Sequence, residues 1–278
     1  MAFASALLAA DPPVRFAMSD RLVRGVNMND ARAAIAMWGN QVIKHAGLQV
    51  VEKQDWVRPS ATVMAGLRAG SLDLVCITVE EFLQAPDSVD VSELVVDDRR
   101  GQELVLISRK DSSFNSLASL RGRSLLVLDN ADALLAESWL GAELSRAGLP
   151  GPVQHFSTVT RLAKPSQVVL PVFFGRADAA IVTREAYNVM AELNPQLGAA
   201  IRPLLASPRL INSFLATRRG MPASIRNRII EGILASKLDP ALRQILTLFH
   251  VRGYVRCPQS CILPAVQLIE SQKKGPKS

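Results

Sequence analysis

The chain has 278 residues, 49% of them hydrophobic and 21% charged, which provides for a buried core and excludes a disordered chain. Its formal net charge is +7, from 32 Lys and Arg against 25 Asp and Glu. The basic residues are scattered apart from the tail run KKGPKS, and aromatics make up only 5%. That excludes a stacking platform for single-stranded nucleic acid, so no nucleic-acid partner is expected. A balance of this size suits a small anionic partner.

Residues 1–10, MAFASALLAA, are small and apolar and stop at Asp11-Pro12-Pro13. They read as the end of a secretory signal without its basic start. A short N-terminal helix is the other reading. No later apolar run approaches the ~20 residues of a membrane span, so the expectation is a soluble exported protein.

VRFAMS (14–19) reads as a strand. NDARAAIAMWGNQVIKHAG reads as a helix: Ile35, Trp38 and Val42 recur at helical spacing, Asn29 is placed to cap its start and Gly47 to end it. LQVVEKQ (48–54) is a second strand. SATVMAGLRAG (60–70) is a short helix capped by Ser60, and LDLVCITV (72–79) is a strand covered on both faces. Trp38 and Trp56 read as packing residues. The order β-α-β-α-β predicts a parallel sheet with right-handed crossovers.

The pattern then restarts. QELVLISRK (102–110) is a strand, and 124–128 in SLLVLDN is another. ADALLAESWLGAELSRAG (131–148) is a helix and GPVQHFST (151–158) a strand. KPSQVVLPVFFGRA (164–177) is a helix that Pro171 should kink or shorten. DAAIVT is a strand and REAYNVMAELN a helix stopped by Pro195. LINSFLATR (210–218) is one more strand, and the chain from Pro222 onward is helical.

Two such units predict an α/β fold of two lobes, each a mixed sheet flanked by helices. Lobe one is expected to hold 11–105 and 209–278, and lobe two, an insert, 106–208. ELVLISR and INSFLATR bracket the insert and share alternating apolar residues and a closing Ser/Thr-Arg. They read as paired crossover strands forming a hinge.

Parallel α/β sheets bind ligands at the carboxyl ends of their strands, where helix N-termini present free N–H groups. The candidate ligand-binding residues are therefore Asn27 and Asn29, Thr78 and Glu80, Asp129 and Asn130, Lys164 and Ser166, and Thr183 and Arg184. Each also has a plainer reading. Asn29 and Ser166 serve as helix caps, Glu80 is an acid in a first helical turn, and Lys164 and Arg184 are solvated charges.

Cys76 reads as a core residue. Cys257 and Cys261, in RCPQSC, read either as a short-loop disulfide of an oxidising compartment or, with His250, as a metal set one ligand short. No cofactor is expected. G-x-S-x-G, H-E-x-x-H and Gly-rich phosphate loops do not occur, and His45, His155 and His250 have no partners at useful spacing. No catalytic residue is assigned.

At VNMNDARAAIAMW, LRAGSLDLVCITVEEF, SLASLRGRSLLVLD, PSQVVLPVFFGRADAAIVTREAYNVMAELNP and LLASP, the chain resembles the phosphate/phosphonate-type periplasmic solute-binding proteins of ABC transporters. The resemblance spans roughly residues 14 to 250. It implies the type 2 periplasmic binding fold: two lobes, a hinge of two crossover strands, and a small polar or anionic ligand trapped between them. It also implies a periplasmic monomer that hands its ligand to a membrane permease. A sensor module presenting ligand to a membrane kinase is an alternative, and an enzyme on the same scaffold a third reading. Two places depart from the family. Where phosphonate-binding members carry a hydroxyl-rich run, this chain has LDNADALLAES, and Asp129 and Asp132 would repel a phosphonate dianion. Where members often show a His-Asp pair, this chain has KPSQ, with Pro165 and Ser166 in those places.

Overall fold

The computed structural model describes residues 11–51 and 54–273. The expected signal remnant, residues 1–10, lies outside the described residues. In chain order the first elements are β1 (Phe16–Ser19), α1 (Met28–His45), β2 (Val57–Arg58), α2 (Ser60–Arg68), β3 (Leu74–Thr78), α3 (Val79–Phe82) and β4 (Leu94–Asp97). The middle holds β5 (Gln102–Arg109), β6 (Ser124–Leu128), α4 (Ala136–Arg146), α5 (Pro152–His155), β7 (Thr158–Leu162), α6 (Pro165–Phe173), β8 (Ala179–Thr183), α7 (Arg184–Leu193), α8 (Pro195–Ala200) and β9 (Ile201–Leu210). The chain continues through β10 (Ser213–Thr217), α9 (Ala223–Ala235), α10 (Pro240–Leu248), β11 (Tyr254–Cys257) and α11 (Leu263–Lys273).

The strands form two mixed sheets, ordered β11-β4-β10-β3-β1-β2 and β7-β6-β8-β5-β9. In the first, β1 pairs parallel with β2 and β3, and β10 enters antiparallel against β3. In the second, β6 pairs parallel with β7 and β8, and β5 runs antiparallel to both β8 and β9. Every residue of β3 and β8 is buried, as apolar runs covered on both faces require. Trp38 and Trp56 pack with Phe16 in the first core. The fold is the expected two-lobed α/β type.

The chain changes sheet twice. It leaves the first sheet after Asp97 and enters the second at Gln102; it leaves the second after Leu210 and returns at Ser213. The first crossing needs Gly101. Its φ is +96°, and a Cβ there would stand 2.5 Å from the Leu210 carbonyl oxygen.

The two crossings hold, but the strands expected to pair do not. ELVLISR pairs with β9, whereas INSFLATR lies in the other sheet, with Ser213–Thr217 against β3. β9 hides in the sequence because Pro203 and Pro208 interrupt it; as an edge strand it tolerates prolines that a central strand would not. Of the expected strand 48–54, residues 52 and 53 lie outside the described residues, and the described part forms a single bridge, Val14 to Val50, before the short β2. Gln54 Oε1 accepts the Phe16 N–H at 3.0 Å, so a side chain takes the bond a ladder would have used. The expected strand 151–158 opens instead as α5, with Pro152 at its first helical position. Asn27, not Asn29, caps α1, its Oδ1 accepting from the Asn29 and Asp30 N–H groups. Ser60 caps nothing; it is the first residue of α2, and Pro59 stands at the cap position. The expected all-helical C-terminal part also contains β11.

Cys257 and Cys261 are joined by a disulfide at the foot of β11, which leaves neither sulfur free for a metal. α11 then packs against both α3 and α4, touching elements of both halves. Among the described residues no helix is long and apolar enough to cross a membrane.

Candidate functional site

The carboxyl ends of β1, β3 and β4 face those of β6, β7 and β8, and polar side chains from both banks meet between them. Where β1 ends, Ser19 Oγ donates to the buried Glu81 at 2.5 Å. Thr78 caps α3, and the Glu81 carboxylate returns a bond to the Thr78 N–H at 2.8 Å. This box holds α3 so that Glu80 points across the gap. Glu80 pairs with Arg21, and its other oxygen accepts from Ser138 Oγ on α4 at 3.4 Å. Beside it Arg24 Nη1 meets Asp129 Oδ1 at 2.6 Å, another contact from bank to bank. The banks are close here: a Cβ on Gly25 would lie 3.4 Å from Asn130 Cβ.

A second polar centre lies at the first crossing. Asp97 folds the turn after β4 by accepting from the Arg99 N–H at 2.8 Å. The Arg99 guanidinium then touches three carboxylates: Asp97 at 2.9 Å, Glu185 at 3.0 Å and Asp132 at 3.5 Å. Burial by itself would lower the Arg99 pKa, but these acids, Asp97 foremost, hold it above the ordinary value. Gln102 Nε2 lies 3.3 Å from Asp132, His250 Nδ1 3.6 Å from it, and Arg252 3.8 Å from Glu185. Two non-glycine residues near this centre, Arg100 and His250, have left-handed backbones with φ of 53° and 56°. Such strain persists where the surroundings over-determine it, and it concentrates at functional sites.

A cavity of about 620 Å³ lies against this centre. The second half contributes Asn130, Asp132, Pro165, Thr183 and Glu185; the first contributes Arg243, Thr247, His250 and Arg252 from the end of α10 and the loop after it. A smaller cavity of about 120 Å³ runs into the core of the first sheet and shares Arg99, Gln102, Asp132 and Val251 with the larger one.

Of the expected site residues, Asn130 and Thr183 line the large cavity, Asn130 capping the turn at Ala131–Ala133 and Thr183 capping α7. Glu80 and Asp129 lie in the gap but are committed to Arg21 and Arg24. Thr78 is spent on its capping box and Asn27 on its cap. Asn29, Lys164 and Ser166 are exposed and line neither cavity; Lys164 holds the cap position of α6 without a side-chain bond. Arg184 turns away to Glu103 on β5, Nη2 to Oε1 at 2.8 Å. Sequence reasoning missed Arg99, Gln102, Arg243 and Arg252. The stretch DDRRG between two apolar strands was the available signal for Arg99, since charge with a glycine at a crossing marks a tight polar turn. Arg243 and Arg252 sit on and after a helix whose charges look like ordinary surface.

Among the described residues no cluster of His, Cys, Asp and Glu is placed to hold a metal ion. His155 is buried in α5 with Nε2 2.8 Å from the Leu117 carbonyl oxygen, far from a catalytic arrangement.

No curated protein sequence matches the chain significantly. Solved structures do match in fold. A binding-protein component of an ABC phosphonate transporter from Pseudomonas aeruginosa is 15% identical, with a TM-score of 0.62 over 95% of this chain and 88% of that one. A Xanthomonas citri protein bound to ATP is 16% identical, with a TM-score of 0.68 over 95% of this chain and 98% of that one. A Prochlorococcus marinus protein in complex with methylphosphonate is 15% identical, with a TM-score of 0.64 over 95% and 100%. Residues 48–260 match the model of the periplasmic substrate-binding proteins of phosphonate ABC transporters. That match covers most of the chain, including both crossings and every strand from β2 to β11: the protein belongs to this family, and its role is to bind a solute for an ABC permease.

Proposed function

We propose that the chain captures a small ligand with a singly charged anionic head in the cavity of about 620 Å³ and presents it to its permease in the periplasm. One observation carries this reading: the cavity is lined by three arginines, Arg99, Arg243 and Arg252, against two carboxylates, Asp132 and Glu185. Arg99 is committed to Asp97, Asp132 and Glu185, and Arg252 lies 3.8 Å from Glu185, so the uncommitted cation of the lining is Arg243. Arg243 has no ion-pair partner among the described residues, so its guanidinium is available to an anion. The Thr183 hydroxyl and Asn130 amide add neutral hydrogen-bonding groups. A dianion would bring a second charge toward Asp132 and Glu185 without a matching cation.

Phosphonates are the first class to test, because the family is named for them and the Prochlorococcus marinus relative is in complex with methylphosphonate. The place of the family's hydroxyl cradle is held by Asp129, already paired with Arg24, which argues for a head bound nearer Arg99. We divide the lobes at the crossings, 98–101 and 211–212, a few residues from the expected 105/106 and 208/209. Ligand bound between them favours the closed arrangement by its differential affinity for it. One chain supplies both banks, which supports a monomer.

The test is a thermal-shift and calorimetric screen of phosphonates, sulfonates, carboxylates and phosphate. A binder at one hundred times its Kd adds about 2.7 kcal/mol and raises Tm by several degrees. Stabilisation by singly charged anions supports the reading. No stabilisation by any of them, or tighter binding of dianions throughout, overturns it.

A further inference from the structure

The smaller cavity reaches from the cleft into the aromatic core of the first sheet. Asp97, Asn212 and Ser213 add polar groups to those at its mouth, Arg99, Gln102 and Asp132, and its inner wall includes Trp38, Cys76, Phe214, Leu246, Phe249 and Tyr254. Its volume of about 120 Å³ approaches the ~150 Å³ of an engineered apolar cavity that takes up benzene. The surroundings are poorly solvating. Burial, with a contribution from Glu81, pushes the Cys76 thiol up to about 12, and burial above all raises the Tyr254 phenol well above its ordinary value. One polar atom in this wall is unanswered. Trp38 is 2% exposed, and its indole Nε1–H meets no acceptor among the described residues. Leaving a buried donor unpaired is costly, and a protein retains such a group where something else answers it. Trp38 and Tyr254 stand with ring centroids 5.7 Å apart and tilted by 51°, the packing an aromatic guest could extend.

We propose that this cavity is a specificity subsite that takes an apolar substituent, up to the size of a benzene ring, carried by the ligand whose anionic head lies in the cleft. The inference rests on the anion reading above. It adds that the natural ligand is amphiphilic: a charged head at the shared mouth, an apolar arm reaching toward Trp38, and an acceptor atom on that arm for the indole N–H.

Matched pairs decide the matter: methanesulfonate against benzenesulfonate, and methylphosphonate against phenylphosphonate, titrated by calorimetry with intrinsic Trp fluorescence followed in parallel. The expected result, for whichever head binds, is at least ten-fold tighter binding of the phenyl member and a change in Trp emission. Cys76→Met should remove that preference by filling the cavity with a flexible chain, bringing the phenyl member's affinity to that of the methyl member in the same variant. Trp38→Phe keeps a ring in place and should reduce the preference for arms that carry an acceptor. Equal or weaker binding of the phenyl members, or a preference that survives Cys76→Met in the folded variant, overturns the subsite and leaves the anion reading standing. If none of the four binds and no carboxylate or phosphate of the wider screen stabilises the chain, the anion reading falls and the subsite with it.

Discussion

Arg24 and Asp129 face each other across the gap, Nη1 to Oδ1 at 2.6 Å, one on the loop after β1 and the other at the end of β6. Both side chains are substantially solvated, with 45% and 33% exposed, so the pair contributes at most about 1 kcal/mol. That is nevertheless enough to move a two-state equilibrium several-fold. With Arg21, Glu80 and Ser138 beside it, the pair joins the two halves without any ligand. Asp129→Asn should therefore increase the open population, raise the radius of gyration seen by small-angle scattering, and weaken ligand binding by a factor of about five. Salt should act on the wild type in the same direction and on the variant less. An unchanged scattering profile and unchanged salt dependence would remove the latch role.

Asp73 carries a different load. It precedes β3, is 8% exposed, and accepts from Arg15 at 2.7 Å and from Arg218 at 2.9 Å. Its burial alone raises its pKa, but the bonds from Arg15 and Arg218 outweigh this and hold it below the usual carboxylate range. The sign follows. A carboxylate whose folded pKa is depressed gives stability that is complete above its unfolded value, about 4, and is lost as pH falls through the lowered folded value. The wild type should lose Tm more steeply below pH 4 than Asp73→Asn, which should already be destabilised near neutral pH by on the order of 3 kcal/mol. Parallel Tm curves for the two proteins from pH 6 to pH 3 would show that Asp73 is not the group responsible.

The sequence made the two α/β units legible because their strands are short apolar runs and their helices have clear periodicity; β3, β6, β8, α1 and α7 lie close to where that pattern puts them. It was less informative where side chains do backbone work. Gln54 replaces a strand contact, and prolines disguise the edge strand β9. The site was legible as a location, the strand ends, but not as a set of residues. A polar residue after a strand faces the gap or serves a cap, and sequence does not separate these: Thr183 lines the cavity, while its neighbour Arg184 turns to Glu103. DDRRG marks a tight polar turn, but the role of Arg99 depends on Asp132 and Glu185, which are distant in sequence and converge only once both crossings have formed.

Gly101 should be the least replaceable residue at the crossing. Its φ of +96° is unfavourable for any side chain, and an added Cβ would collide with the Leu210 carbonyl group. Gly101→Ala should cost on the order of 3 kcal/mol and impair ligand-linked closure in whatever fraction folds. Gly122→Ala is the control. Its φ is +73° and nothing lies within 4 Å of an added Cβ, so only the backbone cost of about 1 kcal/mol remains. Equal Tm losses in urea-matched melts of the two variants would show that the contact with Leu210 is dispensable.

Cys76 offers a test of how closed the first core is. It is the free cysteine beside a bonded pair, it sits in the central strand β3, and burial with Glu81 nearby pushes its thiol up to about 12. Only the thiolate attacks alkylating reagents, so at pH 8 a group with that pKa is ionised in roughly one molecule in ten thousand, against about a quarter for an ordinary thiol. Iodoacetamide should therefore leave the native chain almost unlabelled at pH 8. In guanidinium chloride without reductant it should label one cysteine per chain, since Cys257 and Cys261 remain bonded. Because Cys76 also lines the small cavity, an occupant there should slow the residual native labelling further, by blocking access as well as by stabilising the fold. Rapid labelling of the native chain at pH 8 would mean that the core opens to water around β3, and the reading of Cys76 as a closed core residue would fail.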